Sequence, residues 1–243
     1  MTEQFEDRDL SDAVFWGVRV RGALFRDADL SGARFFHTLW SDVSVDGVVD
    51  RLVVNGVDVT DFVNTHDRWY PLRTQLEPDT ADALRSAWAE LQREWDALLA
   101  RAAQLGPQAV LQSVNGEWCL RDTLRHLLFA MDKWFGWPVL GAREFTSFGL
   151  PNTGSQGRDW PGLEPGAEPT FDEVLAARAR HSATFGDFIA SLDFAELPET
   201  VEVPENGTVP AVMCFHVVLE EEFEHLRYAL RDLDLMAAST SDA

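Results

Sequence analysis

Positive charge is scarce in this sequence relative to negative. Twenty Lys and Arg stand against 41 Asp and Glu, a formal charge of −21 at pH 7. Nonspecific affinity for nucleic acid rests on basic patches that neutralise phosphates, so the balance argues against a nucleic-acid partner. It argues equally against an anionic membrane surface. No run of about 18 apolar residues occurs, so no membrane span is expected. The start, Met1-Thr2-Glu3-Gln4-Phe5-Glu6-Asp7, has neither a basic n-region nor an apolar h-region, so no secretory leader is expected. Cysteine is scarce as well. Cys119 and Cys214 are the only two, both in apolar segments, and they read as buried thiols of a cytoplasmic protein rather than a disulfide. A Gly-rich phosphate loop and a Gly-x-Ser-x-Gly elbow are missing, so kinase, Rossmann and hydrolase readings lack their motifs. The acidic surplus itself reads as a solvated surface.

What is present divides in two. The 243 residues are 46% apolar, enough for one large domain or a medium one with a small companion. The first fifty repeat every five: Phe5, Leu10, Phe15, Val20, Phe25, Leu30, Phe35, Trp40 and Val45. From residue 13 a smaller residue stands two before each centre, as in Ala13, Val18, Ala23, Ala28 and Ala33. This fits neither a helical period nor strict alternation. A square coil would turn one large and one small residue inward on each side, and stacked coils would bury a continuous column. The pattern fails at Asp50, and Val53-Val54-Asn55-Gly56-Val57 reads as a tight hairpin. Residues 63–78 read as a linker.

Four helical patterns follow, at about 79–104, 118–135, 170–191 and 210–232. The first repeats Leu84, Trp88, Leu91, Trp95 and Leu98 at helical spacing, opens at Asp79 or Thr80 and closes at Gly106-Pro107. The third opens with Thr170 and Glu173 placed as a capping box. Between the second and third lies a loop of some thirty residues rich in Gly, Pro, Asn and Ser, long enough to return the chain along a bundle or to cover a site. A short hairpin is expected over 201–209 and a disordered tail over 236–243.

Three ionisable residues stand in apolar helices: His126 in the second, Glu221 and His225 in the fourth. Glu221 and His225 are four apart, one turn above the other on one face. Ionisable groups at the edge of a core need partners. Two imidazoles and a carboxylate suit Zn²⁺, Ni²⁺ or Fe²⁺ better than Ca²⁺ or Mg²⁺, and three protein donors leave open positions. The spacing alone also fits a solvated ion pair. His216 and Glu220 form a second i,i+4 pair; nine residues from His225, His216 points roughly the opposite way. His181 reads as part of a solvated helix face, His66 as locally hydrogen-bonded, and His37 as decoration of a coil. Trp134 and Trp137 are either pocket walls or ordinary core aromatics.

Two resemblances add to these readings. Ala23-Leu24-Phe25-Arg26, Ala28-Asp29-Leu30-Ser31-Gly32 and Ala33-Arg34-Phe35 resemble the A(D/N)LXX repeat of the pentapeptide-repeat family, over about residues 3–50. That resemblance implies a short right-handed quadrilateral β-helix. Glu117-Trp118-Cys119-Leu120-Arg121-Asp122-Thr123-Leu124-Arg125-His126-Leu127 resembles the W-(S/T)-(V/L)-R-(D/E)-L-L-x-H-L segment of the DinB-like superfamily. This group includes bacillithiol and mycothiol S-transferases and mycothiol-dependent maleylpyruvate isomerase. Glu221-x-x-x-His225 resembles its second metal motif in the form the isomerase branch uses, and the likeness spans about residues 75–235. No match to the isomerase's thiol-binding residues stands out.

The expected fold is therefore mainly α: an up-down-down-up four-helix bundle over 79–235, preceded by a repeat segment and capping hairpin over 1–62 and the linker 63–78. The resemblance implies that His126, Glu221 and His225 hold a divalent metal, Zn or Ni. It further implies a thiol cofactor such as mycothiol and transfer of that thiol to a small electrophile, or a thiol-assisted isomerisation. A different class of function is a non-catalytic stress-response or protein-interaction module that uses the coils. A third makes the coils a face for homodimerisation.

Overall fold

The computed structural model describes residues 4–5, 8–25, 28–155 and 157–241. It divides into two compact units, one within residues 1–47 and the other within 48–243.

In the first unit the five-residue period of the side chains is also a period of the backbone. Asp12, Gly17, Gly22, Gly32, His37 and Asp42 all have φ between 53° and 74°, so the chain turns through the left-handed region at multiples of five residues. Ala13, Ala23 and Ala33 each donate a backbone hydrogen bond back to Leu10, Val20 and Leu30 at 3.0–3.1 Å. Asp9 and Asp29, twenty residues apart, each accept from the backbone of a serine two residues on. No strand forms among the described residues of this unit. The apolar column expected from the repeat is not buried: every five-spaced centre is at least 46% exposed. So few repeats cannot cover their own apolar side chains.

The second unit is mainly helical. A hairpin pairs β1 (Val53–Val54) with β2 (Val57–Asp58). Its two-residue turn, Asn55-Gly56, has φ of 51° and 82°, as a tight antiparallel turn requires. Two short helices follow, α1 (Thr60–His66) and α2 (Tyr70–Arg73). The hairpin belongs with this unit rather than with the repeats, and the segment expected to be a linker is docked. Leu72 is buried, Trp69 packs edge-on against Phe223, and Arg73 pairs with Asp67. The Trp69-Tyr70-Pro71-Leu72 run carries enough apolar surface to hold it there.

Four longer helices share one core: α3 (Ala81–Leu105), α4 (Leu120–Met131), α5 (Phe171–Ala190) and α6 (Ala211–Ser241). α3 packs on α5 and α6, and α4 on α5 and α6. Thr80 caps α3, its hydroxyl accepting from Ala83 N, and the helix buries Leu84, Trp88, Leu91, Trp95 and Leu98 on one face. The Thr170–Glu173 capping box forms in full at the start of α5. α4 buries ten of its twelve residues. It runs on into a π-helical turn over Asp132–Gly136. α6 continues to Ser241 through most of the stretch expected to be a disordered tail; residues 242–243 of that tail lie outside the described ones. Leu233 is buried in the core and Met236 packs against it, so the start of that stretch is anchored.

β3 (Thr200–Val203) and β4 (Gly207–Pro210) form the second expected hairpin, anchored by buried Val203 and Val209. The long loop between the π-helical turn and α5 is folded on itself: Phe145 N bonds Pro161 O at 2.7 Å and Glu164 N bonds Ser147 O at 2.7 Å. Gly162 sits at this crossing with φ of 83°, where a Cβ would lie 2.8 Å from the Phe145 carbonyl oxygen. Only glycine fits there. Among the described residues no helix is long and apolar enough to cross a membrane.

Candidate metal centre

The structure brings His126 from α4 together with Glu221 and His225 from α6. One ligating atom from each lies within 4.8 Å of the other two. His126 is 5% exposed. Its Nε2 stands 3.1 Å from Glu221 Oε2, and its Nδ1 stands 2.9 Å from the Leu150 carbonyl oxygen. A carbonyl only accepts, so Nδ1 carries the proton. Nε2 then faces a carboxylate oxygen. Two acceptors at that distance require a cation between them, a proton or a metal ion. His225 is held in the same sense: its Nδ1 donates to the Glu221 carbonyl oxygen at 2.9 Å and lies 3.4 Å from Glu221 Oε2, leaving Nε2 available. In both rings a backbone carbonyl fixes the tautomer that metal ligation uses.

The surroundings shift the titration of the group. Burial alone pushes the Glu221 carboxyl up. The His126 hydrogen bond and the charges of His126, His225 and Lys133 together outweigh it, so the carboxyl lies below its usual range. Burial, then the charge of His126, pushes the His225 imidazole below its usual value. The His225 shift favours the neutral imidazole that a metal needs, and the Glu221 shift shows a carboxylate held by neighbouring positive charge, the role a cation at this point would take. The donor set, two imidazole nitrogens and a carboxylate oxygen, suits Zn²⁺ or Ni²⁺.

Aromatic rings wall the site. The Trp118 ring lies 4.9 Å from that of His126 and stacks at 6.4 Å on that of His225, and Tyr228 meets His225 edge-on at 6.1 Å. Arg125, the residue before His126, positions the loop that supplies Leu150. Its Nε donates to Phe148 O at 2.9 Å, its Nη2 to Ala167 O at 3.1 Å, and its Nη1 to Asp122 at 3.0 Å. Leu150 N in turn donates to Arg125 O at 3.1 Å. One buried guanidinium thus ties two well-separated points of the long loop, Phe148 and Ala167, to α4.

Other candidates go elsewhere. His216 bonds the Pro78 carbonyl oxygen through Nε2 at 3.0 Å and stays apart from the triad, while Glu220 is exposed. His66 bonds Phe62 O within its own helix, and His37 occupies a repeat corner. His181 is not on a solvated face: its Nε2 meets Asp132 Oδ1 at 2.8 Å and its Nδ1 meets Ala177 O at 3.0 Å. The helical pattern of α5 hid this, because Asp132 arrives from the π-helical turn. Trp134 joins the core, whereas Trp137 lines a cleft of about 420 Å³ with Phe145, Arg158, Trp160 and Glu205. Glu205 latches this region by accepting from Lys133 at 3.0 Å, Ser155 at 2.6 Å and Arg158 at 2.5 Å. The Leu150 carbonyl had no sequence signal at all, and Arg125 had one only as part of the tryptophan-to-histidine segment.

Comparison with known families agrees with this division of the chain. A family model described as the DinB superfamily matches residues 90–229, and one described as pentapeptide repeats matches residues 9–38 in 8 copies. No curated protein and no solved structure matches the chain.

Proposed function

Because the chain belongs to the DinB superfamily, whose model covers more than half of it, we propose that it is a divalent-metal-binding protein with His126, Glu221 and His225 as ligands. The observation that carries this reading is the His126 ring, whose Nδ1 is committed to Leu150 O while Nε2 faces Glu221 at 3.1 Å. The four long helices take the superfamily's up-down-down-up course, and the repeats form a short quadrilateral β-helix. The activity is a metal-dependent transfer of a low-molecular-weight thiol of the mycothiol type to a small electrophile, or a thiol-assisted isomerisation, in the cytoplasm. A bound Zn²⁺ or Ni²⁺ would supply Lewis acidity and lower the pKa of a thiol or water at its open positions. The protein's own groups do the rest. The two imidazoles and the carboxylate hold the ion, Trp118 excludes water from one side, and Arg125 keeps the Leu150 carbonyl on His126.

Elemental analysis of the protein reconstituted with Zn²⁺ or Ni²⁺ tests this. One ion per chain, lost in His126→Ala and in Glu221→Gln, is the expected result. A wild-type protein that retains no metal on gel filtration overturns the metal reading.

One observation favours a second reading. The repeat unit exposes Phe15, Trp16, Phe25, Phe36, Leu39 and Trp40, more apolar surface than a solitary unit requires. In that reading the coils are a protein-interaction or homodimerisation element, and the protein need not be an enzyme.

A further inference from the structure

Glu220-Glu221-Glu222 places three carboxylates in succession on α6, each turned about 100° from the last. A rotation of the helix by about that angle would offer α4 a different one. Glu221 meets His126, and Glu220 is exposed. Glu222 points elsewhere, 1% exposed, into a two-fold contact with Arg178 of α5: Nη1 to Oε1 at 2.8 Å and Nη2 to Oε2 at 2.5 Å. Arg178 is 6% exposed, and its guanidinium carbon lies 4.6 Å from the centre of the Trp95 ring on α3. Three helices therefore meet at one ion pair, next in sequence to a ligand of the candidate metal centre.

Stability alone does not account for such a pair. Taking two charges out of water costs several kcal/mol per ion in general, and apolar residues of similar volume are often as stabilising or more so. The best-attested use of a buried polar contact is to fix which of several registers a helix adopts. We propose that the Arg178–Glu222 pair is the register key of the metal centre. By taking Glu222, Arg178 leaves Glu221 and His225 as the residues that face His126. Both Glu222 oxygens go to Arg178 rather than to a triad side chain, and the Glu222 charge acts on His225 only at a distance, so both are positioning residues. The inference rests on the metal reading of that triad for its consequence, and on the helix geometry alone for its structural content.

The test is Arg178→Met/Glu222→Met in the full chain. Two signals are read: Zn²⁺ affinity by competition with a chromophoric chelator, and the imidazole ¹⁵N signals of His126 and His225 in metal-free protein. The expected variant unfolds cooperatively at or near the wild-type midpoint, binds Zn²⁺ about 10–100-fold more weakly, and no longer holds both rings in the Nδ1-protonated tautomer. A folded variant with wild-type affinity and wild-type imidazole signals overturns the proposal. Should the double variant not fold, Glu222→Gln, which keeps the volume and removes the charge, is read by the same two signals against the same outcomes. Should wild type itself bind no Zn²⁺, the metal reading fails. The imidazole signals then still decide: loss of the Nδ1-protonated tautomer in the variant supports the register key, and retention of that tautomer in both rings overturns it.

Discussion

At the scale of single residues, the charges of this protein are arranged so that burial and partners oppose each other. His181 shows the balance. Burial alone pushes its imidazole down, but the hydrogen bond and charge of Asp132, helped by the Ala177 carbonyl, outweigh that and hold it above its ordinary value. A histidine raised in the folded state stabilises it fully below the unfolded pKa of about 6.5 and loses that contribution as pH climbs through the higher folded value. His181→Gln should therefore cost about 1.5 kcal/mol at pH 5.5, as for a hydrogen bond to a charged group, and much less at pH 9. Urea unfolding at the two pH values measures the difference. The two thiols make a second prediction. Burial pushes the Cys214 thiol up to about 11, and burial first, against a backbone contact with Asp122, raises Cys119 as well. Iodoacetamide at pH 8 should leave both unmodified in folded protein and label both in denaturant, as mass spectrometry would show. Among the residues of the candidate metal centre, Glu221 and His225 could be placed on one face by helical spacing, and His126 joined them through the resemblance of the Trp118–His126 segment to the DinB-like superfamily. Arg178 and Glu222 could not. A buried ion pair and a solvated one have the same letters, and only the packing of three helices distinguishes them.

The elements were legible where one local rule fixes them. Helical spacing gave α3, and the Thr170–Glu173 box gave the start of α5 to the residue. Thr170→Ala should destabilise the protein by about 1 kcal/mol, a shift that thermal unfolding resolves. Elements made by tertiary contact were not legible. α1 and α2 are held by docking of Trp69 and Leu72 rather than by their own propensity, and α6 outlasts its periodic pattern to reach Ser241. The long loop is the clearest case. Its course depends on Arg125 and on the crossing at Gly162. Gly162→Ala meets both a positive φ and a close carbonyl, so it should destabilise by more than ~1 kcal/mol. Hydrogen exchange should show the loss confined to residues around Phe145 and Trp160. Arg125→Met should unclamp the same loop and weaken metal binding about tenfold, the effect of losing an outer-shell partner. Equal Zn²⁺ affinity in the variant would count against that clamp.

For the molecule as a whole, two compact units carry different kinds of information. Among the described residues the buried core lies wholly beyond residue 71, while the repeats keep their large side chains in solvent. Removal of residues 1–47 should leave the metal stoichiometry and the unfolding midpoint of the remainder unchanged. Light scattering on the full chain and on 48–243 tests the interaction reading at the same time: an assembly seen only with the full chain assigns it to the repeats. The family matches fall on the same two stretches, residues 9–38 and 90–229.

The contact of His126 with Leu150 has a consequence for how such a centre can diverge. The group that orients the ring is a main-chain oxygen, and any amino acid can present one. That contact therefore does not fix the side chain at position 150, whereas Pro151, which disfavours helical backbone in the residue before it, helps to present the oxygen. An alignment of distant members would show a variable position at the point of contact and give no hint of its role. The constraint would instead surface one residue later, as a proline beside a candidate metal centre that it does not touch through its side chain.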